Sequence, residues 1–282
     1  MAFALGLAML GYVVLLAPVF WYLPTVPAIV VCGILAGFVL LLVRQADLLM
    51  YALTNAIALE RETYPELYET VDRLAAQTDM PRPPVAIVPT DVPNALSAGT
   101  GDRTVVCVTL GLIKTLDEDE LEAVLAHELA HCKNGDSSVL TIAGFPATVA
   151  LAMYSLGARH ANGLALLLGY FGYALMLVAA AIPLIVVSLP GTLALTRYRE
   201  YAADRGAVSI TGKPVALAEA LATLHDVDRK PETDLRGIGH FNAFAIVPSG
   251  TGLLTLPRTH PPVHERIRRL RELTADLESS AD

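Results

Sequence analysis

The sequence predicts a mainly helical α+β protein: four transmembrane helices in two hairpins, and a polar domain that carries a small β-sheet. Three observations predict it. Apolar residues make up 54% of the chain and mean hydropathy is +0.51, too apolar for an ordinary soluble domain. Charge is unevenly spread, with none in residues 1–43, 137–158 and 161–196. The remaining stretches are charged and show either helical periodicity or short β-branched runs.

A bilayer core takes about 20 apolar residues as a helix. Residues 4–23 and 26–43 therefore read as one hairpin turned at Pro24-Thr25, and residues 139–157 and 165–189 as a second. The first stretch lacks the basic head of a cleaved signal peptide and runs almost directly into the next, so it reads as a retained span. A buried core hairpin is the alternative for the second pair, and its length without charge speaks against that. The chain thus divides into a transmembrane hairpin (1–43), a polar part (44–136), a second hairpin (137–190) and a second polar part (191–282). Basic residues near span ends set the orientation. Arg44 follows the second span, Lys133 precedes the third, and Arg197 and Arg199 follow the fourth. Both termini and the polar parts are expected in the cytoplasm, under a cell (inner or plasma) membrane; Arg159, at the second hairpin's tip, dissents. The lipid bilayer is one expected partner. A net charge of −8 argues against nucleic acid. Cys32, Cys107 and Cys132 form no disulfide framework, in keeping with a reducing compartment.

Between the hairpins, residues 60–77 repeat Leu67, Val71 and Leu74 at helical spacing, and Pro81 to Pro84 end the pattern. Residues 85–88 and 104–109 are β-branched runs flanking a stretch rich in turn residues, which predicts a small antiparallel sheet. An exposed strand edge can pair with an extended peptide. Asn94 in that stretch is either an ordinary turn residue or a hydrogen-bonding group for such a peptide. Residues 214–227 read as another helix. Residues 230–258 are a long run rich in Gly and Pro. Pro261 and Pro262 open a last helix with a stripe of Val263, Ile267, Leu270, Leu273 and Leu277.

The chemistry lies in His127-Glu128-Leu129-Ala130-His131. On a helix, positions four apart share a face. Two imidazoles there can hold one Zn²⁺, and the glutamate beside the first can take a proton from an attacking water. Cys132, next to His131, points away from that face. A catalytic zinc needs a third protein ligand. Glu200 and Asp204 are also four apart, in Arg197-Tyr198-Arg199-Glu200-Tyr201-Ala202-Ala203-Asp204. One can take the metal and the other can accept an N–H from a ligating histidine. A solvated helix of mixed charge is the alternative for that segment alone.

Leu125-Ala126-His127-Glu128-Leu129-Ala130-His131 followed by Arg199-Glu200-Tyr201-Ala202-Ala203-Asp204 resembles the HtpX-like membrane zinc metallopeptidases, relatives of the CAAX prenyl proteases. Pro93 to Gly99 resembles that family's Asn-Ala-Phe-x-x-Gly segment, with Leu96 where Phe is commoner. Residues 119–125 lead into the motif as they do there, and residues 259–267 resemble a Thr-His-Pro-Pro segment before a last helix. The resemblance implies a cytoplasmic zincin-type domain of gluzincin arrangement, with one Zn²⁺ per chain. It also implies Glu200 as third ligand, Asp204 as the acceptor behind a histidine, and Glu128 as general base. His260 is marked by it too, either near the metal or the oxyanion, or as a cap of the last helix. The implied role is endoproteolysis of membrane-protein or unfolded polypeptide substrates in quality control. The rivals are a prenyl-peptide protease, an intramembrane site-2-type protease and a catalytically silent scaffold or chaperone. The motif's polar flanks disfavour the intramembrane reading. Because residue 137 opens the third apolar stretch soon after His131, the metal is expected on the order of 10 Å from the membrane surface.

Overall fold

The computed structural model describes residues 2–160, 169–226 and 261–279. Four of its helices are long and apolar enough to cross a membrane: α1 (Ala2–Tyr22), α2 (Thr25–Arg44), α7 (Asp136–His160) and α8 (Phe171–Thr211). All four predicted spans are helical where described. The fourth differs in extent, since the apolar run and the Arg197–Asp204 segment form one uninterrupted helix through Pro183 and Pro190. Apolar surroundings stabilise helix across such prolines, because no alternative partner for the backbone is at hand.

The chain divides into two compact units. The first holds the described residues of 2–43 and 139–196. Its helices meet at small residues. A Cβ on Gly11 would lie 2.8 Å from Ser188 Cβ, and one on Gly191 would lie 2.6 Å from Leu7 Cβ. Close packing at glycine is how helices associate where burial of apolar surface gives no drive. Tyr12 donates its hydroxyl to the Ile142 carbonyl at 2.7 Å. Large apolar side chains such as Phe3, Trp21, Val26 and Ile34 face outward, as a lipid solvent permits.

The second unit holds residues 44–138 and the described residues from 197 onward. Its elements are α3 (Ala46–Thr54), β1 (Ile57–Ala58), α4 (Pro65–Gln77), β2 (Val85–Val88), β3 (Ala95–Ala98), β4 (Val105–Thr109), α5 (Leu110–Thr115), α6 (Glu118–Lys133), α9 (Pro214–Asp226) and α10 (Val263–Ser279). The helix expected from residue 60 starts only at Pro65, which occupies the first turn, where its missing N–H costs nothing. The sheet order is β1-β2-β4-β3. The two β-branched runs do form strands, but β2 and β4 pair in parallel, not antiparallel as expected. The supposed turn between them contains β3, which pairs antiparallel with β4 at the sheet edge. Ala95, Leu96 and Ala98 are small or apolar enough to pack there, and Gly99 at φ 91° makes the return possible.

Helix α6 is buried on nearly every side from Glu120 to His131. It packs against β3, α4 and α9, around a core that includes Val71, Leu74, Val106, Leu112, Leu125, Leu129, Leu217 and Leu270. Its start is set by a capping box. Asp117 Oδ1 accepts from the Glu120 amide at 2.8 Å, and Glu120 returns the bond to the Asp117 amide. Glu122, buried on α6, accepts from Arg73 at 2.7 Å and from Lys213 at 2.9 Å.

These bonds hold the Glu122 carboxyl below its ordinary range, Arg73 contributing most and outweighing burial. A depressed carboxyl stabilises the fold above its unfolded value of about 4.3 and loses that contribution as pH falls through the lower folded value. In thermal melts of detergent-solubilised protein, the advantage of wild type over Glu122→Gln should be constant above about pH 5 and shrink toward pH 3. A pH-independent difference would refute the assignment.

Candidate metal centre

Three helices of the second unit build the site. Helix α6 supplies His127, Glu128 and His131. The C-terminal part of α8 supplies Arg199, Glu200 and Asp204, and α10 supplies Arg266. All seven are buried. The approach of α8 to α6 requires a glycine, because a Cβ on Gly206 would lie 2.7 Å from Ala130 Cβ.

One ligand atom from each of His127, His131 and Glu200 lies within 4.8 Å of the others. The two Nε2 atoms are 3.1 Å apart, the rings are nearly perpendicular, and Glu200 Oε1 is 3.5 Å from His131 Nε2. Each Nδ1 faces a carboxylate. His131 Nδ1 is 2.6 Å from Asp136 Oδ2. His127 Nδ1 is 3.1 Å from Asp204 Oδ1, near enough for a hydrogen bond though not aligned as one. Carboxylates at Nδ1 place the ring protons there, which turns the Nε2 lone pairs toward each other. Three donor atoms at such spacing can converge on one cation, and the guanidinium beside them, with Arg266 Nη2 3.5 Å from His127 Nε2, is the protein's own positive charge at the site. Two imidazoles and a carboxylate are also a donor set that suits Zn²⁺. The residues fit a metal.

Asp136 is a site residue that the sequence reading missed. It opens α7 just after Gly135, whose φ of 65° turns the chain back onto α6. Arg199 pairs with Asp136 and donates to the Asn134 carbonyl at 2.6 Å. The mixed-charge helix is therefore not solvated on this face. The Asn134-Gly135-Asp136 turn was the available signal.

Arg266 was missed as well. Its Nε and Nη2 donate to Asp204 at 2.9 and 2.5 Å, and its Nη1 lies 3.0 Å from Glu200 Oε2. Burial alone raises the Asp204 carboxyl, but Arg266 and then His127 outweigh it and hold it at about 2. Burial lowers the Arg266 guanidinium, and Asp204 and Glu200 more than restore it. For His131, burial lowers the imidazole and Glu200 raises it further, for a net rise.

Ser97 is the third missed residue. From β3 its hydroxyl donates to Glu128 Oε2 at 2.9 Å and to the Glu128 carbonyl at 3.2 Å. Cys107 and Cys132 are near this carboxylate, and burial pushes both thiols up to about 12. Asn94 precedes β3. Its backbone bonds Thr109 in both directions, while its side-chain Nδ2 is buried with no partner among the described residues. His260 and residues 230–258 lie outside the described residues.

Removing a partner from a buried ion cluster leaves uncompensated charge. Arg266→Gln should cost about 3–5 kcal/mol in metal-free protein, measured by chemical unfolding in detergent. A loss under about 1 kcal/mol, typical of an exposed pair, would show that the guanidinium does not hold the two carboxylates.

Comparison with known proteins gives the family. Residues 61–274 match the family model described as peptidase family M48. A Streptomyces coelicolor protein named Protease HtpX homolog 1 is 39% identical over 98% of this chain and 91% of its own length. Protease HtpX homolog 2 of Methanosarcina mazei is 41% identical over 82% of this chain and 80% of its own. A Protease HtpX homolog of Moorella thermoacetica is 43% identical over 76% and 74%. With four helices apolar enough to cross a membrane and a His-His-Glu cluster able to hold a metal, this chain belongs to peptidase family M48 as an HtpX-like membrane metalloprotease.

Proposed function

We propose that this chain is an integral-membrane zinc endopeptidase that cuts the cytoplasmic segments of membrane proteins, in the service of protein quality control. The observation that carries the reading is the convergence of His127, His131 and Glu200 within 4.8 Å, next to a glutamate held by Ser97. His127, His131 and Glu200 are the residues that would hold Zn²⁺. Bound there, the ion would supply Lewis acidity, making water nucleophilic near neutral pH and polarising the peptide carbonyl.

The chain's own residues do the rest. Asp136 and Asp204 face the Nδ1 atoms of the two rings, which leaves both Nε2 atoms as the ones that would hold the ion. Strand β3 has a neighbour on one side only in the sheet order, so its free edge can pair with an extended substrate. The buried Asn94 Nδ2 is a donor for that peptide's backbone or for the developing oxyanion. Ser97 occupies Glu128 Oε2, which leaves Oε1 to take a proton from the attacking water. As oxygen bonds to the carbonyl carbon and the C–N bond breaks, Glu128 passes that proton to the leaving amine. The products are a new carboxylate and a new amine.

Purified protein should carry about one zinc per chain. Glu128→Gln should keep the zinc and lose cleavage of self and substrate, because the base is gone and the ligands remain. Glu200→Gln should lose both, whereas Asp204→Asn should lose roughly 10–100-fold in affinity or activity. Full turnover by Glu128→Gln, or full zinc in Glu200→Gln, would remove that residue from its role.

Chain spacing supports work at the membrane surface, since α7 begins five residues after His131. A membrane protein that shares a bilayer with the enzyme should be cut faster than its loop offered as a soluble peptide. In intact cells, an impermeant thiol reagent should label Arg159→Cys and spare Glu66→Cys, an exposed position of the second unit that the same reagent should label once the cells are opened. The reverse pattern would invert the topology and end this reading of where the enzyme works.

A further inference from the structure

Helix α3 has the wrong polarity for a helix in water. Its inward side carries Ala46, Met50 and Thr54, all buried, and it packs on β3. Its single charge, Asp47, is spent sideways. Arg103 donates to Asp47 from Nε at 3.1 Å and from Nη2 at 3.0 Å, and to Gln45 Oε1 at 3.1 Å. These bonds fix the helix's rotation. At about 100° per residue, Leu48, Ala52, Leu49 and Leu53 then share the outward arc. Leu48 is 55% exposed and Leu53 is 51% exposed. Half-buried Tyr51, amphipathic itself, borders that arc on the side of Asp47. Past the cap residue Asn55, Ile57 is 59% exposed at the start of β1. A helix that is apolar on its outward face as well as its inward one needs a non-aqueous neighbour.

Chain connectivity names the neighbour. Gln45 alone separates α3 from α2, and α2 has the length and composition of a membrane span. One residue spans at most about 3.6 Å, so α3 begins where α2 leaves the hydrocarbon. Arg44, exposed at the end of α2, has the charge that favours a lipid headgroup.

We propose that α3 is an interfacial helix whose Leu48, Leu49, Ala52 and Leu53 face lies in the lipid surface, so that the second unit contacts the bilayer through its own fold and not only through its connecting chain. Such helices sink about 5–10 Å, to the boundary of headgroups and acyl chains. Because α3 packs on β3, this contact presents the substrate-pairing strand to the membrane surface. That consequence rests on the proposed function, whereas the lipid contact does not.

The test uses full-length protein in nanodiscs with an environment-sensitive fluorophore on single introduced cysteines. The background carries Cys32→Ala and Cys132→Ala, since both thiols are half-buried, and Cys107 is left in place because it is fully buried. Leu48→Cys and Leu53→Cys each replace an exposed side chain, which preserves folding. Both probes should emit to the blue and lose emission when the lipid carries a nitroxide near the headgroup. Glu272→Cys on α10 should emit like a probe in water and stay unquenched. Ile34→Cys in α2 should be quenched by a nitroxide deep in the acyl chain. Water-like emission at positions 48 and 53 would overturn the proposal. Blue emission without lipid quenching would overturn it too, by giving the face to another part of the chain or to a second copy. Failure of the Ile34→Cys control would instead overturn membrane insertion itself, and the α3 proposal with it. Because quenching needs no turnover, loss of proteolytic activity leaves this result untouched.

Discussion

The arrangement depends on a buried arginine between two buried carboxylates. Glu200 and Asp204 sit one turn apart on one face of α8, both withdrawn from water. Two carboxylates so placed resist simultaneous ionisation. Arg266 bonds to both and sets a positive charge between them. It arrives from α10, the last helix in the chain, which docks through Leu270 into the core and packs on α9.

From that pair the charges alternate outward. Asp204 lies behind His127, and Asp136 behind His131, with Arg199 behind Asp136 in turn. Each ring is held by a group from a different part of the chain. Asp204 comes from α8, and Asp136 from the turn just after α6. Buried networks of this kind are costly when incomplete and rigid when complete. Rigidity serves a metal centre, because ligands held in advance lose little freedom when the ion binds.

The sheet supplies the remaining constraint. A parallel β2–β4 pair leaves β3 on the outer side of β4, beside α6. Ser97 on β3 can then reach the general-base candidate on α6, while the other side of the strand has no strand neighbour among the described residues. One strand thus orients Glu128 and, in the proposed function, offers its edge to substrate.

Local signals account for what was legible in advance. Freedom from charge over helix-long runs marked the four spans, since a bilayer tolerates little else. Spacing of four in His127/His131 and in Glu200/Asp204 marked the metal face, because helical geometry alone places those side chains together. Glu128 followed from its neighbour. The sense of the β2–β4 pairing, and the strand hidden in a stretch that reads as a turn, were decided by the tertiary fold; a two-residue alternation does not encode partner or direction. Ser97 and Arg266 were likewise beyond the sequence, and Asp136 was signalled only by the Asn134-Gly135-Asp136 turn. Each acts on a residue whose partner cannot be read from spacing: Arg266 is 62 positions from Asp204, and Ser97 is 31 from Glu128. Asp136 is only five from His131, yet it reaches the ring because Gly135 bends the chain between them. The sequence by itself determined that His127 and His131 share one face, and that Glu200 and Asp204 share another, since each is a property of one helix turn. Only the tertiary structure decided what orients and neutralises them, since that requires distant segments to share one buried volume.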